Sequence, residues 1–201
     1  MINIAVLVSG GGTNLQALID AQNNNLIKSG KISLIVSNNS KAYALERGKK
    51  AGIKCVTVLK KDFKDKCDFD QKLIDVLKEK NVDLVVLAGF LCILSKKFTD
   101  SFNGRIINVH PSLIPSFCGD GYYGLKVHEA VINAGVKVTG ATVHFVNEIT
   151  DGGKIISQKA VQVKEGDTPE TLQKRVMEEA EWIILPNAVE LVASKILNGE
   201  L

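Results

Sequence analysis

Short apolar runs alternate with helix-period stretches through the first half of the chain, and this alternation constrains the fold more than any other feature. Ile2 to Val8 forms an apolar run that ends in Ser9-Gly10-Gly11-Gly12, as expected of a strand buried on both faces of a parallel sheet. Thr13 offers an N-cap for a helix carrying Leu15, Leu18 and Ile19 on one face. Further pairs follow: a strand from Ile32 to Val36 with a helix from Lys41 to Ala51, and a strand from Cys55 to Leu59 with a helix from Asp70 to Lys80. A strand from Asp83 to Leu87, a short helix from Ser95 to Phe102 and a strand from Arg105 to Val109 continue the series. Parallel neighbours need a crossover, usually a helix, so the pattern predicts an α/β fold: a mostly parallel, twisted sheet with helices on both faces.

The second half is less regular. A helix is expected from Leu125 to Ala134, followed by β-rich runs from Lys137 to Val146 and from Lys154 to Val163. A final helix begins near Thr168-Pro169-Glu170, where an N-cap, a first-turn proline and an early acid coincide. Its core face is read as Leu172, Val176, Met177 and Ala180, with Met177 packing rather than touching a ligand. No linker, repeat or low-complexity stretch divides residues 1–201, which are read as a single domain. A domain of that length buries roughly 70% of its unfolded surface.

Composition narrows the function classes. The net charge of +3 is small and the lysines are dispersed, apart from a cluster from Lys60 to Lys66 interleaved with aspartates. A solvated face suits that cluster better than a nucleic-acid footprint. Cys55, Cys67, Cys92 and Cys118 form no C-x-x-C pair, so they are read as reduced thiols of a cytoplasmic protein, with no metal site. The first apolar run has no basic segment before it and no cleavage site after it, and no stretch approaches the length of a membrane span.

Three segments carry candidate chemistry. The Gly10-Gly11-Gly12 loop between a strand and a helix brings N–H groups to a helix N-terminus, a natural phosphate site. It lacks the third glycine of the dinucleotide fingerprint, since Leu15 stands there, and no Gly-Lys-Ser/Thr follows. A plain chain reversal is the other reading of the same glycines. In Ile106-Ile107-Asn108-Val109-His110-Pro111, strand alternation points Asn108 and His110 the same way at a strand's carboxyl end, where such sheets bind ligands. An amide donor beside an imidazole suits acyl transfer, although a lone strand histidine is also a common structural residue. His128 and His144 are read as structural. Asp151 in Thr150-Asp151-Gly152-Gly153 is either a turn residue or a carboxylate that would favour an imidazolium at His110. Spacing alone cannot bring the two together.

The segments VLVSGGGTNLQALID, LAGFLCIL, INVHPSLIPSF, VTGATVHFV and TDGGKII, in that order and over most of the chain, resemble the glycinamide ribonucleotide transformylases, a folate-dependent formyltransferase family with a Rossmann-like fold. The resemblance implies transfer of a formyl group from 10-formyltetrahydrofolate to the amine of glycinamide ribonucleotide, with Asn108, His110 and Asp151 as the catalytic group. It implies ribonucleotide contacts at Gly11, Gly12, Thr13, Asn14, Leu15, Glu178 and Glu181. The N-terminal half then serves the ribonucleotide, and the C-terminal half serves folate and catalysis. Folate contacts are implied at Lys66, Leu91, Cys92, Ile93, Leu94, Asn108, Asn147, Glu148, Ile149, Thr150 and Asp151. Cys92 and Lys66 replace arginines frequent in the family, Trp182 stands where histidine is common, and residues 118–124 form a glycine-rich insertion. The family implies a monomer or homodimer, with no nucleic-acid or membrane partner. A formyltetrahydrofolate hydrolase with the same three residues, a methionyl-tRNA formyltransferase and a non-catalytic nucleotide-binding domain are the rival readings. The first two carry additional domains.

Overall fold

The computed structural model describes residues 1–201. Seven strands form one sheet: β1 (Ile2–Val8), β2 (Gly30–Ser37), β3 (Lys54–Thr57), β4 (Leu84–Leu87), β5 (Ile106–His110), β6 (Val138–Phe145) and β7 (Ile155–Gln162). Their order across the sheet is β3-β2-β1-β4-β5-β6-β7. The five strands from β3 to β5 run parallel, and β6 and β7 continue the sheet antiparallel. The mostly parallel α/β sheet read from the sequence is therefore the one observed. β1 lies between β2 and β4, so the chain leaves it in opposite directions, and the carboxyl ends of β1 and β4 border a crevice suited to a ligand.

Strand alternation builds two cores. Ile2, Ile4, Val6 and Val8 of β1 face the larger, whereas Ala5 and Leu7 face the smaller. Helices α1 (Thr13–Asn23), α2 (Tyr43–Lys50), α5 (Leu125–Asn133), α6 (Pro169–Val176) and α7 (Trp182–Leu197) cover the first face; α3 (Lys66–Glu79) and α4 (Lys96–Ser101) cover the second. Both faces are thus buried, which is why the central strands read as nearly unbroken apolar runs. No helix is long and apolar enough to cross a membrane.

Three expected details differ. Thr13 does not cap α1: Gly12 is the N-cap, in the left-handed region at φ 72, and no side chain caps the helix. A Cβ on Gly12 would lie 2.6 Å from the Cβ of Ala44, so both the backbone angle and the approach of α2 require glycine there. Helix α3 starts a turn before Asp70 because Asp65 caps it, accepting from the Asp68 N–H at 3.0 Å. The expected final helix is interrupted by a π turn over Met177–Glu181 between α6 and α7. Its start is as read: Thr168 accepts from the Thr171 N–H, and Thr171 accepts in return from the Thr168 N–H.

Candidate active site

Strand β5 ends with Asn108 and His110 on one face, while the alternating Ile107 and Val109 turn into the larger core. The next strand, β6, places His144 directly opposite Asn108 in the antiparallel ladder. Between β6 and β7 the chain doubles back, and Asp151 sits at its bend with φ 54, a left-handed angle that aspartate tolerates better than most residues. Gly153 makes the return possible, because a Cβ there would overlap the Phe145 carbonyl. The Asp-Gly-Gly motif is therefore both a turn and the device that carries a carboxylate to β5.

There, Asp151 meets two histidines. Its Oδ2 lies 3.4 Å from His110 Nδ1 and its Oδ1 lies 3.5 Å from His144 Nε2. The Gly119 N–H also donates to Oδ2 at 2.9 Å. His110 is buried, and its Nε2 donates to the Phe117 carbonyl at 2.9 Å. A carbonyl can only accept, so Nε2 carries a proton; with a carboxylate at Nδ1, only the doubly protonated ring satisfies both neighbours. Burial pushes the His110 imidazole below its ordinary value, while Asp151 and the Phe117 carbonyl pull the other way. For Asp151, burial opposes ionisation, but His144, His110 and the Gly119 N–H outweigh it and hold the carboxyl below its usual value. An ionised Asp151 at Nδ1 opposes the burial of the His110 charge.

These residues line a cleft of ≈ 560 Å³ together with Leu91, Cys92, Ile93, Leu94 and the loop from Asn147 to Asp151. That size falls in the range of small-molecule sites. Leu91, Ile93 and Ile149 stay largely exposed around it, an apolar rim without a partner. Gly119, Gly121 and Gly124 form its other wall. No group of three or more His, Cys, Asp or Glu is placed to hold a metal ion.

The glycine loop adjoins this cleft: the Ser9 N–H donates to the Gly89 carbonyl at 3.1 Å and the Ser9 hydroxyl accepts from the Leu91 N–H at 2.9 Å, both partners being cleft-lining residues. Thr13, Arg47 and Trp182 line a second hollow of ≈ 400 Å³. The first-turn N–H groups of α1 have no intrahelical acceptor. Asn14 Nδ2 donates to Glu181 Oε2 at 2.6 Å, a buried contact that ties the loop to the π turn. Burial pushes the Glu181 carboxyl up to about 7, against the Asn14 hydrogen bond. Met177, half-buried on the same turn, accepts from the Thr13 hydroxyl through sulfur at 3.6 Å.

A family model described as formyl transferase matches residues 2–189. The chain belongs to the formyl transferase family. The family's phosphoribosylglycinamide formyltransferase from Haemophilus influenzae is 43% identical over 190 residues, covering 94% of this chain and 86% of the relative. The trifunctional purine biosynthetic protein adenosine-3 of Bos taurus is 47% identical over 191 residues, 95% of this chain. The chain spans 18% of the length of that relative and of its human and chicken counterparts. Glycinamide ribonucleotide transformylase 1 from Symbiobacterium toebii, 41% identical, superposes with a TM-score of 0.91 over 96% of this chain and 88% of that one.

Of the residues singled out from the sequence, the family fold gathers Asn108, His110 and Asp151 with Leu91 to Leu94 and Asn147 to Thr150 in one cleft. Asn14 and Glu181 meet at the glycine loop. Three others are not gathered. Leu15 is wholly buried in the larger core, leaving only its N–H for a ligand. Glu178 is exposed and 3.8 Å from Lys174, turned from the loop that Glu181 touches. Lys66 is exposed at the start of α3 and lines neither hollow. His144, read from the sequence as structural, lines the same cleft and contacts Asn108 and Asp151. Strand period could have placed His144 facing into the site, but its partner depended on a register between distant segments.

Proposed function

We infer that this chain transfers the formyl group of 10-formyltetrahydrofolate to the amine of glycinamide ribonucleotide, giving formylglycinamide ribonucleotide and tetrahydrofolate in purine (IMP) synthesis. The observation that carries the reading is the 3.4 Å approach of Asp151 to His110 beside Asn108 in a cleft sized for a pterin. Family membership and the names of the relatives support the substrates.

The neutral amine attacks the formyl carbon, and the formyl oxygen gains negative charge. Asn108 donates an N–H to that oxygen. With Nε2 held by Phe117 and Nδ1 facing Asp151, His110 acts through its positive charge, which a partly buried cleft screens little. Asp151 keeps that charge in place and relays the proton released by the amine to the departing folate nitrogen. The apolar rim of Leu91, Ile93 and Ile149 suits the flat face of a pterin, with backbone groups of residues 91–94 and 147–151 reading its edge; Cys92 and Lys66 then alter the hold on the folate tail. Free N–H groups at Gly11 to Leu15 suit the ribonucleotide phosphate, and Asn14 with Glu181 suits its sugar.

On this reading residues 1–201 act as one formyltransferase domain, monomeric or homodimeric. The four free cysteines suit a reducing compartment, the cytoplasm. Purified protein should release tetrahydrofolate from 10-formyltetrahydrofolate only when glycinamide ribonucleotide is added. Equal release in buffer would instead identify a hydrolase.

A further inference from the structure

One more buried side chain reaches the group assigned to the formyl oxygen. His144 is 2% exposed and lies opposite Asn108 across the β5–β6 ladder. Its Nδ1 is 2.8 Å from the Phe145 carbonyl and its Nε2 is 3.2 Å from Asn108 Nδ2. The β6–β7 register shifts between Val143 and His144, and a bulge of this kind re-aims the side chain that follows it. Here the re-aimed ring spans a carbonyl on one side and an amide on the other.

The chemistry of the two neighbours fixes the ring. The Phe145 carbonyl has no hydrogen to give, so Nδ1 must carry one. In the neutral ring Nε2 is then a lone pair, which accepts from an amide NH₂ and rejects an amide oxygen. The contact to Asp151 Oδ1, at 3.5 Å, is longer than the 3.2 Å approach of Asn108 Nδ2, so the amide is the nearer partner of Nε2. We propose that His144 is a positioning residue: as the Nδ1–H imidazole it holds the Asn108 amide with one N–H on the ring and the other free for the formyl oxygen. This deepens the proposed function and rests on Asn108 being the oxyanion donor. A doubly protonated ring would donate from Nε2, turn the amide oxygen toward itself, and rotate the donor out of this pose.

The test joins a spectroscopic and a kinetic readout. Long-range ¹H–¹⁵N spectra of uniformly labelled wild-type protein at pH 7.5 should show His144 Nδ1 protonated and Nε2 bare; an imidazolium or the opposite tautomer overturns the proposal. Glutamine can accept through its side-chain oxygen, so His144→Gln should keep turnover within about fivefold, while His144→Leu should lower kcat about 10- to 100-fold with KM for the formyl donor nearly unchanged. Full turnover in His144→Leu, equal losses in both variants, or a change confined to KM overturns it. Asn108→Ala is measured beside them: full turnover there removes Asn108 from the chemistry and fails the functional reading instead. His144→Leu added to Asn108→Ala should cost little more than Asn108→Ala alone, because one interaction is lost once. If His144→Leu does not fold, the wild-type spectrum decides.

Discussion

Asp151 places one carboxylate oxygen 3.4 Å from His110 Nδ1 and the other 3.5 Å from His144 Nε2, and the other partners of those two rings separate their roles. On the proposed mechanism His110, flanked by acceptors at both nitrogens, serves as a charge, and on the proposed positioning role His144, flanked by an acceptor and a donor, serves as a clamp. Removing the charge should show in turnover: His110→Ala is expected to lower kcat about 10²- to 10⁴-fold, measured by release of tetrahydrofolate at saturating substrates. Asp151→Asn should fall in the same range, since an amide neither sustains the imidazolium nor relays the proton. Near-normal turnover in either variant would remove that residue from the mechanism. Asn108 and His110 were legible in the sequence because strand alternation and a carboxyl-terminal strand end are local rules. Leu15 shows the limit of motif reading: a position beside a phosphate loop can contribute its backbone while its side chain belongs to the core.

At the scale of elements, the strands lie within about two residues of their sequence-read limits; for the central β1, β2, β4 and β5, burial on both faces leaves little ambiguity in an apolar run. Helix α3 began early because its cap, Asp65, sits in the charged stretch after Lys60, where apolar period is silent. The π turn at Met177–Glu181 was not legible either: one extra residue in a turn changes which way Glu181 faces without disturbing the spacing of Leu172, Val176 and Ala180. On the proposed mechanism the β6–β7 return matters most among the elements, because it delivers Asp151 to β5. Gly153→Ala should force the loop off the Phe145 carbonyl and take Asp151 with it. Because the loop is peripheral to both cores, turnover should drop at least about tenfold while the far-UV spectrum stays native, a local effect of the kind seen when a strained functional loop is disturbed. Unchanged turnover would show that the return tolerates a side chain.

Across the whole molecule, two buried titratable groups pull stability in opposite directions with pH. Burial pushes the Glu181 carboxyl up to about 7 in the folded chain, against an ordinary value of 4.5. The native state therefore binds the extra proton between those values, and stability is lost as pH rises through them, up to a ceiling of about 3 kcal/mol. His128 is wholly buried with neither ring nitrogen bonded, and burial, with His110 nearby, pushes it down to about 4 from 6.5. There the unfolded chain binds the extra proton, so stability is lost as pH falls from 6.5 toward 4, with a similar ceiling of about 3 kcal/mol. Between pH 4.5 and 6.5 the two slopes offset. Denaturant titrations should expose each alone: Glu181→Gln should be more stable than wild type at pH 8 but bind the ribonucleotide less tightly, and His128→Leu should lose the acid-side decline. A wild-type-like pH profile in both variants would refute these assignments.

The pairing of Asn108 with His144 across β5 and β6 has a consequence for how this protein could fail. A slip of β6 by one position along that seam would turn His144 through the sheet to its opposite surface while Asn108, held by the β4–β5 pairing, stayed in place. Faulty alignment and an idle enzyme would thus be the same event, so catalytic turnover doubles as a proofreader of how the strands were zipped.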